Sequence, residues 1–181
     1  MAMLQERDDR LLCSAYSTHV PCHFFSSFFI SKLMGTDGET SSYDAVRRWT
    51  KNINLFAMRL VLAPVCIGNK HWCLIAVDME QKTVRYYDSC GGAGTEYIRP
   101  MLDYLAEEHR TAHGSVFEPN LWTMVPTTQD TPQQSNGYDC GVFASYCALY
   151  LANDVDPAFS QEDVPLLRRR MMMDILYQRI I

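Results

Sequence analysis

One stretch constrains this chain more than any other, the segment PQQSNGYDCG at residues 132–141. Asn136 and Gly137 favour a turn, since glycine takes positive φ freely and asparagine tolerates it. From Cys140 onward, apolar residues recur in a pattern compatible with a buried helix. The sequence therefore predicts a tight loop that delivers Cys140 to the first turn of a helix. Backbone N–H groups and the helix dipole at that position favour negative charge and lower the pKa of a thiol.

A cysteine in this position has a second interpretation. It can be a small apolar residue that opens a core helix, because buried structural cysteine is the commoner case. The choice between a nucleophile and a structural residue therefore depends on which side chains surround Cys140.

Composition limits the class of protein. A chain of 181 residues, 48% of them hydrophobic, is expected to form a single domain over residues 1–181. The net charge of −5 argues against nucleic acid as the main partner. Seven cysteines, an odd number without any C-x-x-C pair, favour a reducing intracellular setting. No apolar run approaches the roughly 18 residues of a membrane span, so we expect no membrane partner.

A β-hairpin is predicted from two strands, at residues 71–78 and 83–88, joined by a turn at residues 79–82. With a loop of two or four residues, the residue numbers of each cross-strand pair add up to an odd number. His71 and Asp88 then point to the same face, directly opposite or one diagonal step apart. A loop with an odd number of residues would place them on opposite faces of the hairpin.

Further elements follow from periodicity and from capping residues. Pro100 suggests that the regular part of one helix begins late. The run Arg168-Arg169-Arg170 is interpreted as a solvated helix face. The predicted helices cover residues 43–51 after Ser42, 95–110, 140–153, and the segment after a capping box at Ser160 and Asp163. Strands are predicted at residues 55–65 and near 121–125, and polar loops at 13–22 and 35–42.

A basic cluster, defined here as Arg47, Arg48 and Lys51, lies beside Trp49. It is either a solvated helix face that Trp49 anchors to the core, or a docking surface for an acidic partner. The residues alone leave both interpretations open.

A thiol hydrolase needs an activated cysteine, a histidine base, a group that orients the histidine, and donors for the oxyanion. Candidates for these roles are Cys140, His71, Asp88 and Gln134, with the Cys140 backbone N–H as a second oxyanion donor. Such constellations are recognised by geometry, so their order in the chain proves nothing. A phosphatase would want Arg six residues after the cysteine, where this chain has Tyr146.

These residues belong to blocks that resemble the SUMO-specific (sentrin-specific) peptidases, a ubiquitin-like-protein protease family of cysteine peptidases. The resemblance covers nearly the whole chain. The matching blocks are YDAVRRWTK at 43–51, HWCL at 71–74, YYDS at 86–89, PQQSNGYDCG at 132–141, and RRRM at 168–171 with Ile175-Leu176.

The resemblance implies that His71 is the base, that Asp88 orients it, that Cys140 is the nucleophile and that Gln134 lines the oxyanion hole. Trp72 matches an aromatic residue that closes a narrow tunnel over the Gly-Gly tail of the substrate. The implied fold is α+β and papain-like, with a central mixed sheet flanked by helices and the nucleophile at a helix N-terminus.

The implied activity is maturation of SUMO precursors and release of SUMO from lysine side chains, by a monomer without metal or cofactor. The resemblance places it in the nucleus, with the cytoplasm as a second location. The basic cluster would contact the ubiquitin-like partner. The family domain normally opens with a segment that supplies the second wall of the tunnel, and this sequence is expected to lack that segment.

Three alternatives remain at this point. The chain could act on another ubiquitin-like protein such as NEDD8, since the catalytic blocks are shared. It could also bind SUMO without turnover. A metal site on the hairpin, from His71, Cys73 and Cys90, is a further hypothesis, although one hairpin offers poor tetrahedral enclosure.

Overall fold

The computed structural model describes residues 1–13, 21–35 and 42–180. Its centre is a five-stranded mixed sheet whose strands lie side by side in chain order. The strands are β1 (Cys22–Phe24), β2 (Leu60–Ile67), β3 (His71–Asp78), β4 (Thr83–Tyr87) and β5 (Thr123–Val125). The middle pairs, β2 with β3 and β3 with β4, are antiparallel, while each outer strand runs parallel to its neighbour. The predicted mixed sheet is confirmed.

Helices cover both faces of this sheet, as the α+β prediction requires. The α-helices are α1 (Ala2–Leu12), α2 (Phe29–Met34), α3 (Tyr43–Val46), α4 (Thr95–His113), α5 (Cys140–Ala152) and α6 (Val164–Leu176). Short 3₁₀ turns lie at Leu55–Ala57, Pro119–Leu121 and Gln161–Asp163.

The sheet separates two apolar clusters, and the alternation of side chains along each strand decides which cluster a residue joins. In β3, Ile75 and Val77 join the cluster that α2 and α4 cover. Leu74 and Ala76 join the cluster that contains the inner residues of α5. Because β3 is covered on both faces, its middle residues are almost completely buried. His71 is thus the first residue of a strand that is packed on both faces.

Two helix predictions were wrong in extent. The helix expected from Tyr43 to Lys51 ends at Val46, and residues 47–52 form turns. Thr50 is buried there and its Oγ1 lies 3.0 Å from the hydroxyl of Tyr104, so tertiary packing overrides local helix propensity.

Helix α4 already begins at Thr95, before Pro100, so the expected late start was also wrong. Pro100 removes one backbone donor, whose acceptor would have been the carbonyl of Glu96. Glu96 is exposed, so water can satisfy that carbonyl and the helix continues through the proline.

The remaining boundaries differ by a few residues. Strand β2 runs from Leu60 to Ile67 rather than over 55–65, and β5 begins after Trp122. The capping box at Ser160 and Asp163 is confirmed and leads through a 3₁₀ turn into α6. The polar loops expected at 13–22 and 35–42 fall largely on residues 14–20 and 36–41, outside the described residues.

Candidate active site

The hairpin of β3 and β4 brings His71 to Asp88. Leu74 pairs with Tyr87, and these two residue numbers add up to an odd number. The predicted register is therefore confirmed. Continued by one residue, that register sets Asp88 opposite Cys73, one diagonal step from His71. His71 Nε2 lies 2.6 Å from Asp88 Oδ1. Because Nε2 is engaged by the carboxylate, Nδ1 is the ring nitrogen left to exchange a proton with a thiol.

The Asp88 carboxylate is held from behind by the turn that follows it. The backbone N–H of Cys90 donates to Oδ1 at 2.7 Å, and that of Gly92 donates to Oδ2 at 3.1 Å. A Cβ at Gly92 would lie 2.5 Å from Oδ2, so the turn comes this close only because residue 92 has no side chain. This role of Gly92 was not predicted from the sequence, although the pair Gly91-Gly92 shortly after Asp88 was a usable signal.

Cys140 is the first residue of α5, as predicted, and only 5% of its surface is exposed. Its Sγ lies 4.0 Å from the carbonyl oxygen of Lys70, the residue that precedes His71. The first N–H groups of a helix have no partner within the helix, so the Cys140 N–H is suited to bind an anionic oxygen. The structure therefore brings the thiol against the chain segment that carries the histidine.

The turn before Cys140 forms in a different way from the one expected. Gly137 is not among the described glycines with positive φ. Instead the side chain of Asn136 shapes the turn, since its Oδ1 accepts from the backbone N–H groups of Tyr138 and Asp139, both at 3.1 Å. Asparagine side chains mimic a backbone turn in this way.

Gln134 lies at the other side of this loop, against the turn after Asp88. Its Nε2 donates to the carbonyl of Asn136, and its Oε1 accepts from Ser89 Oγ at 2.6 Å. The backbone N–H of Gln134 donates to the Ser89 carbonyl at 2.9 Å. The amide that the sequence proposed for the oxyanion is thus fixed in place.

Asp139, directly before Cys140, is 3% exposed and accepts hydrogen bonds from three different segments. Asn136 Nδ2 donates at 2.6 Å, Gln161 Nε2 at 2.8 Å and Arg168 Nε at 2.9 Å. Burial by itself raises the pKa of Asp139, but the hydrogen bonds from Asn136, Arg168 and Gln161 outweigh it and lower that pKa. The interpretation of Arg168 as part of a solvated face was therefore incomplete, since its head group is bound to Asp139 in the loop before Cys140.

Trp72 lies over the first turn of α5. A Cβ at Gly141 would lie 3.6 Å from Trp72 Cδ1, and both residues line a cavity of about 250 Å³ together with Pro64 and Ala144. The half-buried indole thus borders the segment that carries the Cys140 thiol.

Residues 1–180 match the family model described as "Ulp1 protease family, C-terminal catalytic domain". The chain belongs to this family.

Individual members of the Ulp1 protease family are similar over most of this chain. Human "Sentrin-specific protease 2" is 37% identical over 162 residues, which are 88% of this chain and 26% of that protein. The "Sentrin-specific protease" of Caenorhabditis elegans is 31% identical over 165 residues, 91% of this chain and 23% of that protein. This chain therefore spans about a quarter of the length of these relatives.

Solved structures of the family share the fold. "SUMO protease Ulp1 with the catalytic cysteine oxidized to a sulfinic acid" matches with a TM-score of 0.76 and 26% identity, over 99% of this chain and 77% of that one. The C-terminal Ulp1 protease domain in complex with SMT3, the yeast orthologue of SUMO, matches with a TM-score of 0.70 and 25% identity, over 92% and 71%.

The basic cluster of this Ulp1-family chain is exposed at all three of its residues. It borders a surface depression that also includes Tyr43, Asp44, Glu107 and Arg110. Acidic groups neutralise part of it, since Arg47 Nε lies 3.3 Å from Asp44 Oδ1. The segment packs through Val46 into the cluster under α2 and α4, whereas α5 covers the other face. The structure thus does not bring the cluster to the thiol.

The metal hypothesis is not favoured by the donor set. Among the described residues, His71, Cys73 and Asp88 place ligand atoms within 4.8 Å of one another, and Cys90 is not part of that group. The Asp88 carboxylate already accepts three hydrogen bonds. Burial strongly raises the pKa of the Cys73 thiol, which opposes the thiolate that a metal needs. These atoms suit proton transfer better than metal binding.

In the part of the chain that the structure describes, no helix combines the length and the apolar character needed to cross a membrane.

Proposed function

We propose that this chain is a cysteine peptidase that cleaves after the C-terminal Gly-Gly of SUMO-type proteins, in precursor processing and in release from lysine side chains. One observation carries the proposal: His71, bonded at 2.6 Å to a buried carboxylate, directly follows Lys70, whose carbonyl oxygen lies 4.0 Å from a thiol at the start of a helix. The names of the similar proteins, sentrin-specific and SUMO proteases, support the choice of substrate.

In the proposed reaction, the Cys140 sulfur attacks the carbonyl carbon of the terminal glycine while His71 Nδ1 takes the thiol proton. The proton then passes to the leaving amine, and a thioester remains. Water attacks the thioester, His71 accepts a proton from it, and the thiol is restored. Asp88 holds the imidazole through Nε2 and stabilises its positive form.

Negative charge develops on the carbonyl oxygen in each step. Gln134 Nε2 and the Cys140 N–H are the proposed donors for it. The packing of Trp72 close to Gly141 supports a narrow passage at the thiol. Residues without side chains pass through such a passage, which accounts for the selection of Gly-Gly.

The test is a SUMO carrying a C-terminal electrophile. We expect a covalent adduct at Cys140, and its loss in Cys140→Ala. His71→Ala is expected to abolish turnover of a SUMO conjugate while leaving binding nearly intact. A folded protein that forms no adduct at Cys140 contradicts the enzyme assignment.

The same electrophile on NEDD8 and on ubiquitin separates the alternative substrates. Faster labelling by NEDD8 would replace SUMO as the substrate, and binding of SUMO without an adduct would indicate a binding module. We also propose the nucleus as the main location, from the family resemblance, and imaging of the tagged full-length protein would check it.

A further inference from the structure

Ser89 follows Asp88 directly, and it is 4% exposed. Two hydrogen bonds join it to Gln134, which lies 45 residues further along the chain. The hydroxyl donates to Oε1 at 2.6 Å, and the carbonyl of Ser89 accepts from the Gln134 backbone N–H at 2.9 Å. Neither the hydroxyl nor the carbonyl takes part in the reaction proposed above.

These bonds determine which end of the Gln134 amide faces which neighbour. A side-chain amide has an oxygen that only accepts and an NH₂ group that only donates. The carbonyl of Asn136 can only accept, so it must face the NH₂ end, as it does here. The Ser89 hydroxyl supplies the donor that the other end needs. A rotation of the amide by half a turn would place two carbonyl oxygens against each other.

The NH₂ group carries two hydrogens, and the Asn136 carbonyl takes one of them. Among the described residues no other acceptor takes the second hydrogen, which leaves it for a ligand. A donor stabilises an oxyanion well when it is already oriented before the charge develops, because no reorganisation is then needed. The hydroxyl that donates to Oε1 also polarises the amide and strengthens its N–H groups as donors.

We propose that Ser89 is a positioning residue for the oxyanion hole, which it completes by orienting and polarising the Gln134 amide. The inference rests on the proposed function and deepens it. It also means that one turn serves two roles. Asp88, before Ser89, orients the imidazole, and Cys90, after Ser89, holds the Asp88 carboxylate through its N–H.

Ser89→Ala removes the hydroxyl and leaves Oε1 without its donor. Because the negative charge is absent from the bound substrate and develops only as the carbonyl is attacked, we expect kcat to fall and KM to change little. Removal of one oxyanion donor costs about 10²- to 10³-fold in kcat, which we expect for Gln134→Ala. For Ser89→Ala, which keeps the amide but loosens it, we expect a loss of roughly 5- to 20-fold.

A double-mutant cycle on a SUMO substrate tests the mechanism. If Ser89 acts through Gln134, then Ser89→Ala costs less than about twofold in the Gln134→Ala background. Ser89→Thr keeps a hydroxyl and is expected to retain more kcat than Ser89→Ala. Full additivity of the two losses, or a wild-type kcat in Ser89→Ala, would overturn the inference.

A second readout separates Ser89 from its neighbour Asp88. The rate of alkylation of Cys140 by iodoacetamide, followed by peptide mass spectrometry as a function of pH, reports on the thiol and the histidine but not on the oxyanion. We expect this profile to be the same in Ser89→Ala and wild type. A shifted profile would show that Ser89 acts through Asp88 and His71 instead.

Thr50→Val is the matched control. It removes another buried hydroxyl, which is bonded to Tyr104 in the apolar cluster that α2 and α4 cover. We expect it to lower the melting temperature without changing kcat. Failure of the wild-type protein to cleave SUMO would overturn the proposed function and this inference with it. If the wild-type protein cleaves SUMO and Ser89→Ala does so with the same kcat, the inference alone is overturned.

Discussion

The carboxylate of Asp88 is held at the scale of single residues by the backbone of the turn that follows it. Oδ1 faces both His71 Nε2 and the Cys90 N–H, and Oδ2 faces the Gly92 N–H. Two of these three donors are therefore backbone N–H groups, which only a substitution by proline would remove. The geometry of the candidate site therefore depends as much on the shape of this turn as on the identity of the His71 and Asp88 side chains.

Gly92→Ala is the variant that tests this dependence. Its new Cβ would start 2.5 Å from Oδ2, so the carboxylate or the turn must shift from the position in which Asp88 meets the imidazole. A displacement of about 1 Å in such a site costs on the order of 10²-fold, and we expect kcat to fall by about that factor. Steady-state kinetics on a SUMO conjugate measures it.

Gly137→Ala is the control, since a Cβ at Gly137 meets nothing within 4 Å and positive φ is not required there. Equal kcat in the two alanine variants would contradict the assigned role of Gly92.

At the scale of elements, α6 stabilises the loop that precedes Cys140, the proposed nucleophile. Arg168 reaches from α6 to Asp139, and Gln161 reaches the same carboxylate from the 3₁₀ turn before α6. Asp139 in turn accepts from the backbone N–H groups of Val142 and Phe143 through its own carbonyl. The first turn of α5 and α6 are thereby joined through one residue, Asp139, whose carbonyl accepts from α5 and whose carboxylate accepts from Arg168 on α6.

Arg168→Ala is expected to lower the free energy of unfolding by about 1–3 kcal/mol, because a buried carboxylate loses its charged partner. Arg169→Ala, at the next and exposed position, is the matched control and is expected to stay within about 0.5 kcal/mol of wild type. Urea denaturation of both variants measures the difference.

The stabilisation from the interaction of Asp139 with Arg168 has a defined pH dependence. The pKa of Asp139 is lowered in the folded protein, so its stabilisation is fully present above the unfolded value of about 3.9 and is lost as the pH falls through the folded pKa. The difference in unfolding free energy between wild type and Asp139→Asn should therefore shrink below about pH 4. A difference that grows on acidification would contradict this sign.

At the scale of the whole molecule, acidic residues outnumber basic ones. The chain carries a net charge of −5, so attraction of an acidic partner must come from a local patch such as the basic cluster. The cluster lies apart from the thiol, on the side of the molecule that α2 and α4 cover, which suits contact with a folded partner rather than with its tail.

Reversal of charge in the basic cluster tests the proposed contact with SUMO. In Arg47→Glu with Arg48→Glu, we expect kcat/KM to fall by roughly 3- to 10-fold at low salt, with kcat unchanged, because steering acts on association. The effect should fade near 1 M salt, where the screening length is about 3 Å. Arg99→Glu, exposed on α4, is the control. A kcat/KM that is insensitive to the reversal at every salt concentration would assign the cluster to an ordinary solvated surface.

Local patterns in the sequence determined the features that depend on periodicity and capping. The hairpin register that joins His71 to Asp88 followed from loop parity, and the start of α5 at Cys140 followed from its apolar pattern. The capping box before α6 followed from Ser160 and Asp163. Each of these is a relation between residues close in the chain, or between two strands joined by a tight turn, for which spacing is sufficient.

Only the tertiary structure decided which distant groups meet the site. The bond from Ser89 to Gln134 spans 45 residues, and that from Arg168 to Asp139 spans 29. Spacing alone cannot predict such contacts, because they depend on how the turn after β4 and the helix α6 pack against the loop before α5. The sequence thus determined the hairpin face that His71 and Asp88 share and the place of Cys140 at the start of a helix, while packing determined the hydrogen bonds that orient the groups of the candidate site.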